Sequence, residues 1–113
     1  MHEVSLVEYL FDAIDDAIGA HPRDTARAVT VRIGELAGVE VALFETAFVG
    51  VAPERGYPHA RLTVENELAS WVCSVCDAAA PSTEPSVCAR CEGPLKLATG
   101  ACIVLTRVEL EVR

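Results

Sequence analysis

Cys73-Ser74-Val75-Cys76 and Cys88-Ala89-Arg90-Cys91 are the two stretches that decide how this chain is organised. Each places two cysteines three positions apart, and residues 77–87 separate the two pairs. Two such pairs in one short segment are typical of a tetrahedral zinc site with four thiolate ligands. Because protein sulfurs take all four positions, none is open for water or substrate. The sequence therefore predicts a structural zinc ion held by Cys73, Cys76, Cys88 and Cys91.

Paired cysteines also occur in disulfides and in thioredoxin-type redox centres. The chain opens with Met1-His2-Glu3 and an amphipathic run, which differs from the basic stretch and apolar segment of a secretory leader. We therefore expect a cytoplasmic protein, in which thiols stay reduced. A redox centre needs only one pair, so two pairs at this spacing favour zinc; a redox enzyme would have reactive thiols and no zinc.

Cys102 stands apart from the two pairs. It lies in the apolar run Ala101-Cys102-Ile103-Val104-Leu105. Free cysteine packs like a small hydrophobic residue. We expect Cys102 to be buried in a strand.

The composition is that of one modest globular core with a metal-stapled appendage. The chain has 113 residues, of which 51% are hydrophobic, and its formal net charge is −8. No apolar stretch is long enough to span a bilayer, so we expect no membrane association. An acidic surface repels phosphate backbones, so we expect no nucleic-acid partner, although many zinc ribbons have one.

An amphipathic helix is predicted near the start of the chain. Residues 5–19 carry apolar side chains at three- and four-residue steps, which is the helical period. Ser5 and Glu8 fit a capping box that would begin this helix, and Gly19 would end it.

A strand and a second helix are predicted next. Residues 26–34 alternate between apolar and polar side chains, as in a strand with one buried side. Residues 39–50 predict a helix that Gly50 and Pro53 would end. Its apolar face is expected to contain Leu43, Phe44, Ala47 and Phe48.

The cysteine segment is predicted to interrupt two further strands. Residues 60–67 alternate again. A long last strand runs through Ile103 to Val112, and its phase changes between Leu105 and Val108, as a bulge or bend would cause.

We therefore predict an α+β fold, with a small sheet of about three strands packed with two helices and an inserted four-cysteine zinc ribbon. Residues 1–68 and 99–113 would form the α+β domain, and residues 69–98 the inserted zinc domain. The inserted segment has little apolar side chain to bury, so zinc is expected to supply its folding free energy.

The amino terminus is a second candidate metal site. Initiator methionine is removed mainly before small residues, so we expect Met1 to stay in front of His2. The Met1 α-amine, the His2 amide nitrogen and the His2 imidazole can then chelate one ion through fused five- and six-membered rings. The Glu3 amide nitrogen could complete a plane of four nitrogens, which suits Ni(II) or Cu(II). Taken alone, a histidine at position 2 is more often part of a solvated terminus.

No catalytic arrangement stands out in the sequence. It contains no GxxxxGK phosphate-binding loop, no GxSxG and no HExxH. His21 and His59 each stand beside a proline and are expected to be surface residues. We therefore predict no enzymatic activity.

A third distinctive stretch, Val31-Arg-Ile-Gly-Glu-Leu-Ala-Gly-Val39, lies between the N-terminal triplet and the cysteine pairs. In this order, and over nearly the whole chain, these stretches resemble the HypA/HybF family, the nickel metallochaperones of nickel–iron hydrogenase maturation. The resemblance implies a nickel domain made of the helices and the sheet, and a zinc domain inserted before the last strand. The family's nickel-binding histidine falls on His2 and its acidic neighbour on Glu3. Its zinc cysteines fall on Cys73, Cys76, Cys88 and Cys91.

The resemblance also implies partners. A metallochaperone of this kind delivers Ni²⁺ to the hydrogenase large subunit together with a HypB-type GTPase, and in some organisms relatives also supply urease. We expect a monomer or a weak dimer. A nickel site on a flexible terminus would suit transfer, because the ligands must release the ion. Its affinity should fall as the pH drops, because binding requires deprotonated nitrogens.

This chain departs from the family pattern at three places. Asp77 follows Cys76 where a glycine is common, and the gap between the cysteine pairs is slightly short. The last strand opens with Gly100-Ala101-Cys102, where relatives often carry acidic residues. None of these positions is a predicted ligand. The alternatives are a zinc-ribbon adaptor that only binds another protein, with His2 irrelevant, and nickel delivery to urease.

Overall fold

The computed structural model describes residues 2–80 and 87–112. Its elements, in chain order, are α1 (His2–Ile18), a short 3-10 helix (Arg23–Thr25), β1 (Ala26–Gly34), α2 (Val41–Glu54), β2 (Arg61–Glu67), β3 (Ser70–Cys73), β4 (Ala79–Ala80), β5 (Leu95–Thr99) and β6 (Ile103–Leu110). The strands form two three-stranded sheets, in the orders β2-β1-β6 and β4-β3-β5. The predicted α+β class, with two helices, a three-stranded sheet and a cysteine ribbon, is confirmed.

Two compact units make up the chain. One contains Met1–Arg32, Val39–Glu65 and Val104–Arg113, and the other contains Ile33–Gly38 and Asn66–Ile103. The short segment between β1 and α2 therefore belongs to the same unit as the four paired cysteines.

The core of the first unit is aromatic and lies between α1 and α2. The ring of Phe11 stacks on Phe48 with centroids 5.0 Å apart, and Tyr57 lies 5.2 Å from Phe11. The two helices run in the same direction, because their starts meet where the Glu40 N–H donates to the Glu3 carboxylate (3.4 Å). Farther along α1, Arg55 at the end of α2 donates to the Asp12 carboxylate (2.8 Å).

α1 begins earlier than the sequence predicts. It starts at His2, so Ser5 lies inside the helix and the expected capping box is wrong. His2 and Glu3 form its first turn, a helical conformation that the sequence pattern does not predict; Met1 lies outside the described residues. An acidic side chain such as Glu3 is favourable in the first turn of a helix. The contact with Glu40 supplies a further tertiary reason for the early start.

α2 continues to Glu54, so Gly50 and Pro53 do not end it. Its last turn contains two buried residues, Val51 and Ala52, whose packing outweighs the poor helical propensity of Gly50 and Pro53. The helix ends before Gly56, whose φ is +89°. Its buried face contains Phe44, Phe48, Val51 and Ala52. Leu43 is 51% exposed, so the expectation that it lies on this face is wrong.

Cys102 is exposed and precedes β6, so the expectation of a buried strand residue is wrong. Alternation along the strand places Ile103 and Leu105 on the half-buried side. The predicted change of phase in this strand appears as two successive exposed residues, Thr106 and Arg107. Neither described helix has the length and apolar character needed to cross a membrane.

Candidate metal centres

The sulfurs of the two cysteine pairs converge on one point. The Sγ atoms of Cys73, Cys76, Cys88 and Cys91 all lie within 4.8 Å of one another. Cys73 Sγ lies 3.4 Å from Cys91 Sγ, and Cys76 Sγ lies 3.7 Å from Cys88 Sγ. Four sulfurs at the Zn–S distance of about 2.3 Å from a tetrahedral ion would lie about 3.8 Å apart. The four-sulfur arrangement therefore fits a tetrahedral metal ion.

Each cysteine pair belongs to the same kind of backbone turn. In the first turn the Cys73 N–H donates to the Ala78 C=O (3.0 Å), and the Asp77 N–H donates to the Cys73 C=O (3.2 Å). The second turn repeats both bonds fifteen positions later, from Cys88 N–H to Gly93 C=O (2.9 Å) and from Glu92 N–H to Cys88 C=O (2.9 Å). The two halves of the metal site are thus related by a local structural repeat.

Two residues of these turns adopt left-handed backbone conformations. Asp77 has φ of +61° and Glu92 has φ of +60°. Glycine adopts this conformation without steric strain, whereas most other residues are strained in it. The departure at Asp77 therefore leaves the turn intact, and aspartate is among the better tolerated non-glycine residues there.

Backbone N–H groups make one sulfur of each pair more acidic. The Cys76 and Val75 N–H groups donate to Cys73 Sγ at 3.4 and 3.3 Å, and they lower the pKa of Cys73 to about 6. The pKa of Cys88 is lowered in the same way by the Cys91 and Arg90 N–H groups.

Cys91 behaves in the opposite way. The Gly93 N–H lowers the pKa of Cys91, but the neighbouring sulfurs, that of Cys73 first, together with burial outweigh it and raise the pKa to about 12. The cluster therefore resists holding a full set of thiolates by itself. A bound cation would relieve this repulsion, which is the electrostatic behaviour expected of a thiolate metal site.

Gly93 closes one side of the cluster. A Cβ added to Gly93 would lie 2.9 Å from Val75 Cγ2, 3.2 Å from Cys91 Sγ and 3.3 Å from Cys73 Sγ. The absence of a side chain at this position therefore lets the backbone approach the sulfurs. No local pattern in the sequence singles out Gly93.

The second candidate centre is only partly described. His2 is exposed in the first turn of α1, and the next residue, Glu3, is half-buried with its carboxylate at Glu40. The first N–H groups of a helix have no acceptor within the helix, so those of His2 and Glu3 are not used by α1 itself. Met1, which would supply the α-amine, lies outside the described residues.

The stretch Val31–Val39 holds the two ends of the cysteine segment, a role that its sequence pattern does not predict. Backbone bonds join it to both ends of the cysteine segment: Gly34 N–H to Cys102 C=O (2.9 Å), Glu35 N–H to Glu67 C=O (2.8 Å) and Leu36 N–H to Gly100 C=O (2.8 Å). We call residues 34–36 the clasp, because they bind the backbone just before the cysteine segment, at Glu67, and just after it, at Gly100 and Cys102.

Two carboxylates strengthen the clasp. The Glu35 side chain accepts a hydrogen bond from the Ala69 N–H, and the Glu67 side chain accepts one from the Gly100 N–H (2.8 Å). These are charge-assisted bonds to backbone donors, which are stronger than neutral ones. Both acidic residues thus act on the segment that carries the cysteines.

Comparison with known proteins places this chain in a family. The family model described as hydrogenase/urease nickel incorporation, metallochaperone, HypA, matches residues 1–110. The chain belongs to the HypA family. The HypA family is a metallochaperone family and not a family of catalytic enzymes.

Individual HypA proteins resemble the chain over most of its length. The hydrogenase maturation factor HypA of Shewanella halifaxensis is 30% identical over 113 residues, which covers 98% of each chain. The corresponding protein of Chloroflexus aurantiacus is 31% identical over 96 residues, covering 83% of this chain and 84% of the relative. The resemblance to HypA seen in the sequence is confirmed, as is a role in hydrogenase or urease nickel incorporation at the level of the family.

Solved HypA structures share the fold. The solution structure of the Ni metallochaperone HypA from Helicobacter pylori has a TM-score of 0.76 at 22% identity, covering 98% of both chains. A second solution structure of a HypA protein has a TM-score of 0.80 at 23% identity, covering 98% of this chain and 97% of the other.

Proposed function

We propose that this HypA-family chain binds one Ni²⁺ ion at Met1, His2 and Glu3 and delivers it for the maturation of nickel–iron hydrogenase. The observation that carries the proposal is the position of His2, an exposed imidazole in the first turn of α1. The ion would be bound by the Met1 α-amine, the amide nitrogens of His2 and Glu3, and the His2 imidazole.

The backbone geometry of the first turn supports this ligand set. Chelation by successive backbone nitrogens requires them to lie nearly eclipsed about the Cα–C bond. The helical ψ of about −42° is closer to that arrangement than the extended ψ of about +135°. Placing His2 and Glu3 at the start of a helix therefore brings their amide nitrogens toward a chelating arrangement, while leaving both without an intrahelical acceptor.

We propose that the four-cysteine cluster holds zinc as a structural ion. Four thiolates at tetrahedral spacing match the preference of Zn²⁺ and leave no open position for chemistry. A site of this kind persists where thiols stay reduced, which supports a cytoplasmic location. We therefore assign the two metal roles to separate parts of the chain, with nickel as cargo and zinc as a resident ion.

The proposed partners follow from the family. A HypB-type GTPase and the hydrogenase large subunit are the proposed partners in nickel delivery, with the urease pathway as the alternative destination. A zinc-ribbon adaptor without a nickel function is the other alternative. It predicts no stoichiometric nickel binding, which makes nickel titration the deciding measurement.

The test compares three proteins: the parent with Met1 as its first residue, a His2→Ala variant, and a form with a short N-terminal extension. Nickel addition is followed by visible absorbance, which reports a square-planar Ni(II) chromophore. The parent should bind one equivalent, and the other two should lose this binding because one lacks the imidazole and the other lacks the α-amine at Met1. Zinc content and the circular dichroism spectrum serve as controls and should be unchanged. Equal nickel binding by all three proteins would contradict the proposal.

A further inference from the structure

α2 exposes a mainly apolar side to the surroundings. At about 100° per residue, six exposed positions share this side of the helix, here called the outer face: Ala42, Leu43, Thr46, Val49, Gly50 and Pro53. Leu43 is 51% exposed and Val49 is 72% exposed. The Thr46 hydroxyl donates to the Ala42 C=O (2.9 Å), so it is satisfied within the helix. The outer face therefore has no charged side chain at its centre.

Acidic side chains border the outer face on both edges. On the same helical projection, Glu45 lies at one edge and Glu54 at the other. Both are exposed, and the described part of the chain provides neither with an ion pair. Arg55, the cation that follows α2, is already paired with Asp12 at 2.8 Å and Asp15 at 3.2 Å. The outer face is thus an apolar strip between two negative edges.

Gly50 is an unexpected residue within this strip. Glycine is less favourable than alanine in a helix interior. A Cβ at Gly50 would meet no atom within 4 Å, so packing inside the described residues does not explain its absence. Glycine on a helix surface allows another backbone to approach closely. The position therefore suits contact with a second helix.

We propose that the outer face of α2 is the docking surface for a helix of another protein, whose own apolar side is bordered by lysine or arginine. Basic side chains would lie against Glu45 and Glu54, while the apolar sides of the two helices exclude water between them. A second copy of this chain is the poorer occupant, because its outer face has the same acidic edges and its net charge is also −8. Anionic lipid headgroups are disfavoured for the same reason.

The location of the surface connects it to the proposed function. α2 begins beside the Glu3 carboxylate, so a partner on the outer face would lie along the helix whose start contacts the proposed nickel residues. Docking itself does not require nickel, however. A His2→Ala variant should therefore dock normally, which separates this inference from the nickel assignment.

Two synthetic peptides test the proposal. Both form amphipathic helices with the same leucine and alanine face; one has lysines along its edges and the other has glutamates. We expect the lysine peptide to bind the full chain and to shift the backbone NMR signals of the outer face, while the glutamate peptide does not bind. A Val49→Ser change should lower the affinity for the lysine peptide by roughly tenfold, since it removes one buried apolar side chain from the contact.

Matched variants locate the contact. Val104→Ser alters another exposed valine, on β6, and should bind as the parent does. Gly50→Gln should weaken binding, because its side chain blocks the close approach. A Glu45→Gln and Glu54→Gln double variant should bind the lysine peptide more weakly and with less dependence on salt.

Three results would overturn the proposal. One is equal binding of both peptides, or of neither. Another is unchanged lysine-peptide binding by Val49→Ser. The third is a dimer of the parent, detected by analytical ultracentrifugation and broken by Val49→Ser, which would assign the outer face to a second copy of the chain.

Discussion

The Cα of Gly34 packs directly against the peptide group of Gly100. A Cβ added to Gly34 would lie 2.2 Å from the Gly100 carbonyl carbon. Gly100 is itself confined, since its own added Cβ would lie 2.6 Å from the Ala69 Cα. The backbone at Gly34, Gly100 and Ala69 is thus in direct contact, with no side chain between Gly34 and Gly100 or between Gly100 and the Ala69 Cα.

Gly34→Ala should therefore destabilise the protein. The added methyl group meets backbone that cannot rotate away, so we expect a loss of about 1–3 kcal/mol in the free energy of unfolding. Urea denaturation measures it. Gly50→Ala is the matched control: it adds the same methyl group into open space on a helix and should stabilise the protein by about 0.5–1 kcal/mol. A Gly34→Ala variant as stable as the parent would show that the close approach at Gly100 is not required.

Cys73→Ser should remove the zinc and loosen the cysteine segment. Three thiolates hold the ion poorly, and the segment has few apolar side chains to keep it folded without metal. Zinc analysis of purified protein and the fluorescence of Trp71, the single tryptophan, report the two effects. Cys102→Ser is the control and should retain one zinc per chain, because Cys102 lies outside the four-sulfur cluster. Full zinc content in Cys73→Ser would contradict the four-cysteine assignment.

Glu3→Gln should keep most of the nickel affinity. In the proposed ligand set Glu3 contributes its amide nitrogen, while its carboxylate accepts a hydrogen bond from the Glu40 N–H. Glutamine retains a side-chain oxygen for that contact, although a neutral acceptor is weaker than a charged one. Calorimetry of nickel binding gives the measurement. Abolished binding in Glu3→Gln would mean that the carboxylate itself is a ligand.

Tyr57 should make the stability depend on alkaline pH. The side chain is buried and its hydroxyl donates to the Asp15 carboxylate, and these two effects, burial first, raise the pKa of Tyr57 above its usual value of 10.0. Folding therefore favours the neutral phenol. The resulting stability is fully present below about pH 10 and is lost as the pH rises toward the raised pKa, because only the unfolded state then releases its proton.

Tyr57→Phe should weaken that dependence. At pH 7 the variant loses one hydrogen bond, worth about 1 kcal/mol. Between about pH 10 and 11 its free energy of unfolding should fall less steeply than that of the parent, as measured by urea denaturation at each pH. Tyr9→Phe changes a tyrosine that is 72% exposed and should leave the profile of the parent unchanged. Identical slopes in the parent and Tyr57→Phe would rule out this role for Tyr57.

The parts of the fold that could be predicted are those governed by local pattern. The cysteine spacing predicted a four-sulfur cluster, and alternation located β1 at Ala26–Gly34 without error. α1 was recognised from its period, but its start at His2 is also supported by a contact with Glu40, far along the chain, that no local rule contains.

The parts that could not be predicted depend on tertiary packing. α2 is apolar on nearly every side, so its period could not reveal that Leu43 faces outward while Val51 and Ala52 are buried. Cys102 looked like a core residue because its neighbours are apolar, but the strand begins only after it. The meeting of Gly34 and Gly100 joins positions that are distant in sequence, and glycine alone does not name its partner.

The clasp also anchors both ends of the cysteine segment to one short stretch of backbone, so the segment should be exchangeable as a unit. Gly34 and Glu35 bind the backbone at Cys102 and Glu67, so the two points where the segment leaves and rejoins the rest of the chain are pinned to the same short stretch. The chain between these two points is therefore a long loop whose two ends are held close together. Lengthening such a loop costs little closure entropy, since doubling the loop length adds only about 0.6 kcal/mol to the free energy of closure. Insertions between the two cysteine turns are therefore the changes in length that the fold should tolerate best. A different metal-binding hairpin could also be grafted between the same two anchor points.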